Sequence, residues 1–233
     1  MKQFYRIAIL LTVALSMTSL VSADFYYETE ITGQPGTTGP TLAKNYISEN
    51  GMRMETGDGT AMIIDFKKEM MINLDTKKKQ YSEVKFEEMM QPMENDDAKM
   101  LEQMTKMVDQ MLASMQVTPI DETKEINGWN CKKYNVTIMG STMEYWVTKD
   151  IKNYRELEQY IEKYKKVFEK NPLLKNISTG FEMQKKIDGF PIRTINKMMG
   201  MEIISTVTKI EDKKIDESIY SVPEGFTKTV EAK

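Results

Sequence analysis

Residues 46–55 read YISENGMRME, and this stretch sets the fold expected for the whole chain. Two β-like segments flank Asn50-Gly51, a dipeptide that favours a tight hairpin because a type I′ turn needs φ > 0 at both central residues. The flanking segments are therefore expected to pair as antiparallel strands. Arg53 lies on the second segment, where the pattern predicts a solvated strand residue.

Short β-like segments separated by turn signals continue on both sides of this hairpin. The turns include Asn127-Gly128 and Asp188-Gly189. Further strands are predicted at residues 25–31, 61–66, 70–74, 80–84, 122–126, 129–138, 142–148, 181–187, 190–196, 202–210 and 219–226.

Two helices interrupt the strand pattern. The first is predicted at residues 95–115, where Asn95 is a reasonable N-cap and two aspartates follow in the first turn. The second begins near Asp150 or Asn153 and ends before Pro172. Its apolar stripe recurs at steps of three and four residues and consists of Tyr154, Leu157, Ile161, Tyr164 and Phe168.

So many short strands cannot form a flat sheet, because strand twist accumulates until the sheet curls or splits. The helices are inserted between groups of strands and do not alternate with single strands, a pattern typical of an α+β fold. We therefore expect a curved antiparallel sheet that forms an incomplete, half-open barrel covered by two main helices.

The N-terminus predicts export. Lys2 and Arg6 precede an apolar run at residues 7–15, and Val21-Ser22-Ala23 has the small residues of a cleavage site. Residues 1–23 are therefore a predicted signal peptide, and residues 24–233 a predicted single domain in the periplasm or outside the cell. An uncleaved anchor helix is the alternative. No later stretch is long and apolar enough to predict stable membrane insertion.

Composition argues against nucleic-acid binding and against an internal disulfide. Removing Lys2 and Arg6 leaves 30 basic residues against 35 acidic ones, a net charge of about −5, so nucleic acid is not an expected partner. Cys131 is the single cysteine and cannot form an internal disulfide.

Catalytic chemistry has little support in the sequence. The chain has no histidine, so Ser-His and Cys-His pairs and His-bearing zinc sites are excluded. Cys131 lies on a predicted strand, where a small buried side chain is favoured over a reactive thiol or a soft-metal ligand. We expect no catalytic residue, no cofactor and no enzymatic activity.

The chain contains 21 methionines, and five of them form a stripe on one face of the first predicted helix. These five are Met100, Met104, Met107, Met111 and Met115. The stripe has three interpretations: core packing, a pliable wall for an apolar ligand, or a soft-metal site. Thioethers suit Cu(I), and Met198, Met199 and Met201 form a second cluster, but Leu101 and Leu112 extend the apolar side of the helix.

Several stretches resemble a known family. They are ENGMRME at 49–55, IID at 63–65, KQY at 79–81, INGWNCKKY at 126–134, WVTKD at 146–150 and VPEGF at 222–226. The chain is thereby identified as DUF4412-like, a member of an exported bacterial family of domains of unknown function. This family is similar, more distantly, to the periplasmic lipoprotein carriers of the LolA and LolB type. That resemblance implies an unclosed barrel with helices in its open side and an apolar cavity for acyl chains.

These observations predict a non-enzymatic binding or carrier protein for a lipid, an acyl chain or another apolar ligand. The predicted cavity wall consists of the five methionines of the stripe together with Leu157 and Ile161 of the second helix. Periplasmic Cu(I) binding by methionines is one alternative. A structural or interaction module of the cell envelope without a small ligand is another.

Overall fold

The computed structural model describes residues 24–88, 103, 106–107, 109–152, 154–168, 186–198 and 200–229. Within these ranges the chain forms strands β1 (Phe25–Thr32), β2 (Thr41–Ser48), β3 (Gly51–Glu55), β4 (Thr60–Asp65), β5 (Met70–Asp75), β6 (Gln80–Lys85), β7 (Gln116–Ile126), β8 (Trp129–Ile138), β9 (Ser141–Thr148), β10 (Phe190–Met198), β11 (Met201–Asp212) and β12 (Thr227–Lys228). It also forms helix α1 (Tyr154–Phe168) and a 3-10 helix (Glu217–Tyr220).

All twelve of these strands belong to one open sheet, in the order β12-β6-β5-β4-β3-β2-β1-β11-β10-β9-β8-β7. Neighbouring strands are antiparallel, except that the short β12 runs parallel to β6. Strand β1 lies between β2 and β11 and therefore joins the meander β2–β6 to the later group β7–β11. The predicted antiparallel sheet is confirmed.

The hairpin at residues 46–55 is also confirmed, but its turn lies one residue earlier than predicted. Ser48 pairs with Gly51, so Glu49 and Asn50 form the loop, and Gly51 is already the first residue of β3. The φ > 0 expected for the Asn50-Gly51 turn does not occur at either residue. Gly51 is instead needed for close packing, because a Cβ there would lie 2.6 Å from the carbonyl oxygen of Ile64.

Helix α1 packs on one face of the sheet through Leu157, Tyr160 and Tyr164. These three side chains are buried in the largest cluster of apolar side chains, which draws on strands β1 to β4 and β7 to β11 and is called the α1 cluster below. Tyr164 stacks on Phe66 with ring centroids 4.1 Å apart and ring planes 9° apart. Burying large aromatic rings gives this helix a strong hydrophobic anchor.

The segment that follows β11 packs on the opposite face of β4 and β5. Ile215 and Tyr220 are buried there against Ile63, Ile72 and Leu74. Ile63 and Ile64 are neighbours on β4, and successive strand residues point to opposite faces, so this cluster and the α1 cluster lie on the two sides of the sheet. Part of each face of the meander is therefore covered.

Arg53 holds this C-terminal segment in place. Its side chain is buried, its Nη1 donates to the carbonyl oxygen of Ile219 at 3.0 Å, and its Nη2 lies 2.9 Å from the Glu55 carboxylate. The prediction of a solvated strand residue is wrong, because the C-terminal segment covers the face of β3 on which Arg53 lies.

The other end of the sheet curls. The side-chain amide of Asn127, in the β7–β8 turn, donates to the carbonyl oxygen of Val207 on β11 at 2.7 Å, although β9 and β10 separate β8 from β11 in the sheet. Register shifts of one residue in the β1–β11 and β9–β10 pairs mark bulges, and a wider irregularity interrupts the β7–β8 pair. Bulges bend strands and increase their twist, which accounts for the curvature.

Other boundaries differ in part from the prediction. Residues 219–226, predicted as a strand, begin in the 3-10 helix and contain no strand, and β12 follows them. The predicted strand at 181–187 lies mostly outside the described residues. So does most of the predicted helix 95–115, although residues 103, 106–107 and 109–114 are helical. In the described part of the chain, no helix has the length and apolar character needed to cross a bilayer.

Candidate ligand-binding cleft

The methionine stripe is only partly described. Met100, Met104 and the side chain of Ile161 lie outside the described residues. Met107 is 57% exposed, Met111 is half-buried, and Met115 is buried against Tyr134, Val136 and Val147. Leu157 is buried in the separate α1 cluster. The structure therefore does not bring Met115 and Leu157 into one cluster, and their role in a ligand cavity stays a prediction.

A different set of methionines lies together on the sheet. Met54 on β3 pairs directly with Met62 on β4, Met62 pairs with Asn73 on β5, and Asn73 pairs with Ser82 on β6. The four side chains thus form one row across four strands. Directly opposed residues have Cβ atoms about 4.5–5.5 Å apart, so neighbouring side chains in the row are close enough to interact.

Two more methionines lie on the same face, one step closer to α1. Met52 lies two residues before Met54, and Met71 lies two residues before Asn73. Because alternate residues of a strand share a face, both lie on the face of the row. Met52 is buried in the α1 cluster, and Met62 and Met71 pack against that cluster. We call Met52, Met54, Met62 and Met71 the methionine floor.

A cleft of about 510 Å³ opens over the outer part of this floor. Met54, Met62, Asn73 and Ser82 all line it. It lies near the Thr56 end of β3, whereas Tyr164 of α1 meets the sheet at Gly51, the other end of the same strand. Its volume falls in the range of clefts that hold small ligands, which is about 300–1,000 Å³.

Polar groups, most of them uncharged, form the rim of the cleft. Thr56, Thr60, Gln80 and Thr229 contribute hydroxyl and amide groups. Asp75 also lies at the rim, and the backbone N–H of Lys78 donates to its carboxylate at 2.9 Å and lowers its pKa. This arrangement, with the thioethers of Met54 and Met62 below and polar groups around them, suits a ligand with an apolar chain and a polar end.

The turn beside the rim holds a strongly acidic carboxyl group. The hydroxyls of Thr56 and Thr60 donate to Asp58 Oδ1 at 2.5 Å and 2.8 Å, and the Thr60 backbone N–H donates at 2.9 Å. These hydrogen bonds lower the pKa of Asp58 to about 2. Asp58 is therefore charged at neutral pH, and its negative charge is satisfied within its own turn.

A second cleft of about 410 Å³ lies beside Cys131. Lys132, Lys149, Asp150 and Asp188 line it with charge. The thiol of Cys131 is 1% exposed, and burial raises its pKa to about 11, with a smaller contribution from the charge of Asp150. A protonated, buried thiol is a poor nucleophile, so Cys131 fits the predicted structural role.

The described residues contain no group of three or more Cys, Asp or Glu side chains placed to hold a metal ion. The sequence did contain a signal for the methionine floor. Met52 and Met54 stand two apart in a strand, which is the spacing of residues on one face. Only the pairing of β3 with β4, and of β4 with β5, shows that Met62 and Met71 lie beside them.

The fold defines the class of the protein: an open, curved antiparallel sheet with a helix packed on one face and a cleft beside it. A family model described as "Domain of unknown function (DUF4412)" matches residues 32–226, and the chain belongs to this family. The resemblance read from the sequence motifs is confirmed. No curated protein matches the chain.

Several solved structures are similar to the chain at low sequence identity. MucB in complex with MucA(peri) is 9% identical, with a TM-score of 0.42 over 87% of this chain and 55% of that one. A LolA superfamily protein, NE2245 from Nitrosomonas europaea, is 9% identical, with a TM-score of 0.30 over 86% and 91%. PNGF-II is 12% identical, with a TM-score of 0.39 over 89% of this chain. The chain spans only 30% of the length of PNGF-II.

Proposed function

We propose that this protein is an exported, non-enzymatic carrier that reversibly binds an acyl chain or another apolar ligand. The observation that supports this proposal is the cleft of about 510 Å³ over Met54 and Met62. Methionine is unbranched and polarizable, so a floor of thioethers adapts its shape to varied apolar chains. The hydroxyl and amide groups of the rim can form hydrogen bonds with the polar end of such a ligand.

The predicted lid belongs to the same proposal. Two helices, α1 and the methionine-rich helix predicted at 95–115, would cover the curved sheet as in a half-open barrel of the LolA type. Met107 is 57% exposed and Met111 half-buried, so these two thioethers are not fully packed into protein. They would form a second wall together with the other predicted residues of the stripe.

Export of the carrier rests on the N-terminal sequence. We propose cleavage after Ala23 and a location in the periplasm or outside the cell. Strand β1 begins at Phe25, so a chain cut after Ala23 keeps every strand of the sheet described above.

Ligand extraction tests the proposal directly. The protein is purified from the envelope fraction of an expressing cell, and its organic extract is analysed by mass spectrometry alongside native spectra. Binding of a fluorescent fatty acid is then measured by titration. Co-purified lipid and saturable probe binding are the expected results. Absence of both would leave the interaction module as the better interpretation.

Paired substitutions locate the bound probe. Met54→Gln with Met62→Gln places amides on the cleft floor, and probe affinity should fall at least about tenfold, equivalent to about 1.4 kcal/mol. Met139→Gln with Met201→Gln is the matched control, because these methionines are 62% and 39% exposed and do not line the cleft. If only the variant Met107→Gln with Met111→Gln loses affinity, the probe binds at the predicted helix wall and not over Met54 and Met62.

A further inference from the structure

The methionine floor has a second chemical property besides being apolar. Met54 and Met62 are directly opposed across β3 and β4. Met71 lies diagonally from Met62, because Met62 pairs with Asn73, two residues further along β5. Diagonal neighbours on one face are about 7–8 Å apart at Cα, which is within reach of long side chains. Met62 thus lies between Met54 and Met71 on one face of the sheet, and its thioether is within side-chain reach of both.

A site built from thioethers alone is selective. Thioether sulfur is a neutral, soft ligand that suits Cu(I), whereas Mg²⁺ and Ca²⁺ prefer carboxylate, carbonyl and water oxygens. The cleft-lining residues Asn73, Ser82 and Gln80 are uncharged. Asp75 is the one carboxylate among the lining residues described, and it pairs with Lys78 at 3.2 Å. The floor therefore offers a divalent cation little charge compensation.

The floor is also accessible to an ion from solution. Met54 and Met62 line the open cleft, and Met54, Met62 and Met71 are all partly exposed. Met52, by contrast, is only 5% exposed and packs in the α1 cluster. The three partly exposed methionines are thus the ones available as ligands.

We propose that Met54, Met62 and Met71 bind one soft monovalent cation, Cu(I) or its analogue Ag(I). This function goes beyond apolar ligand binding and uses the sulfur atoms of the floor, whereas an acyl chain would use only their apolar surface. The ion is bound and released without a change of oxidation state. Because both ligands would occupy the same cleft, they compete.

Titration with Ag(I) tests the site, because Ag(I) is a soft cation that does not change oxidation state under these conditions. The purified chain carrying Cys131→Ala is titrated in chloride-free buffer by calorimetry and native mass spectrometry. Removing Cys131 eliminates the one thiol, although that thiol is 1% exposed. One bound Ag(I) per chain is expected, with displacement of a pre-bound fluorescent fatty acid where that probe binds.

Leucine substitutions separate the two functions of the cleft. Met54→Leu with Met62→Leu keeps the floor apolar and similar in volume but removes two sulfurs. Ag(I) affinity should fall at least about tenfold, whereas fatty-acid affinity should change less than about threefold. Met143→Leu with Met201→Leu, which removes two strand methionines elsewhere in the sheet, should leave Ag(I) binding unchanged.

Three results would overturn the assignment. The first is the absence of stoichiometric Ag(I) binding, and the second is undiminished binding in Met54→Leu with Met62→Leu. The third is loss of binding in Met107→Leu with Met111→Leu instead, which would assign the ion to the predicted helix stripe. Fatty-acid binding is scored separately, so failure of the metal site and failure of the carrier proposal remain distinguishable.

Discussion

The hydroxyl of Tyr164 donates a hydrogen bond to the carbonyl oxygen of Gly51 at 3.3 Å, across 113 residues of sequence. Gly51 is the first residue of β3, and Tyr164 lies in the second half of α1. The bond is buried, and it fixes the helix at the turn end of the β2–β3 hairpin. The cleft opens at the other end of the same strand, beyond this anchor.

Replacing Tyr164 by phenylalanine should test this anchor. The ring and its stacking on Phe66 remain, but the Gly51 carbonyl loses a donor in a buried site. The free energy of unfolding should fall by about 0.5–1.5 kcal/mol. Urea denaturation followed by circular dichroism measures the change. Tyr27→Phe is the control, because the Tyr27 hydroxyl makes no hydrogen bond in the described structure, and equal losses in both variants would contradict the prediction.

Gly51→Ala should be more damaging than Tyr164→Phe. A Cβ at position 51 would lie 2.6 Å from the Ile64 carbonyl oxygen and 3.0 Å from the Tyr220 ring. The backbone of a central strand cannot shift without breaking its hydrogen bonds. The overpacking should therefore lower the free energy of unfolding by about 1–3 kcal/mol. Thermal unfolding of Gly39→Ala supplies the control, since nothing lies within 4 Å of the added methyl and its φ is not in the left-handed region. A neutral Gly51→Ala would refute this packing argument.

Arg53→Leu should loosen the C-terminal segment while leaving the sheet folded. The substitution removes the donor to the Ile219 carbonyl and the partner of Glu55, two interactions of a buried charge. A hydrogen bond from a charged group is worth about 1.5–3 kcal/mol. Hydrogen exchange should therefore accelerate at residues 213–222, and trypsin should cut sooner after Lys213 and Lys214. Arg53→Lys keeps the charge but not the forked geometry of the guanidinium. Its exchange rates at residues 213–222 should fall between those of the parent and of Arg53→Leu. Unchanged exchange at 213–222 would show that apolar packing alone holds the segment.

The pH dependence of stability should reveal the contribution of the ionised Asp58 carboxylate. Its pKa is lowered from 3.8 to about 2 in the folded protein, so its stabilising contribution is present above pH 3.8 and is lost as pH falls toward 2. Asp58→Asn should therefore be less stable than the parent at pH 7, by less than about 1 kcal/mol because the site is exposed. The two proteins should become equal near pH 2. Chemical denaturation between pH 2 and pH 7 measures this difference, and a constant difference across the range would contradict the assignment.

The two Asn-Gly pairs show what the sequence could and could not predict. Asn127 and Gly128 have φ values of +50° and +87°, as the predicted turn requires. Asn50 and Gly51 do not, because the chain turns one residue earlier, where β3 can begin with Gly51 against Ile64 and Tyr220. Both pairs correctly predicted a hairpin, but tertiary packing determined the position of the turn near Asn50. Local propensity cannot reveal such packing.

The cleft could not be predicted from the sequence, for a related reason. A helical stripe is visible in one stretch of sequence, whereas the methionine floor is assembled from three strands by cross-strand register. Arg53 is a similar case. Its burial depends on a segment more than 150 residues later, which was itself predicted as a strand and contains the 3-10 helix. The sequence predicted most strands correctly, and contacts between distant segments determined the site.

The curl of the sheet should depend on Asn127. Its amide bridges the β7–β8 turn to Val207 on β11, and glycine can adopt the same φ of +50° without strain. Asn127→Gly therefore removes the hydrogen bond and leaves the turn intact. In a Trp146→Phe background Trp129 is the one remaining tryptophan, and it lies two residues from the bridge. Its fluorescence should shift to longer wavelength and become more accessible to acrylamide when the bridge is lost. If emission and quenching stay the same, packing of Ile126 and Trp129 against the α1 cluster would suffice to curl the sheet, and the amide bridge would be a consequence of the curvature.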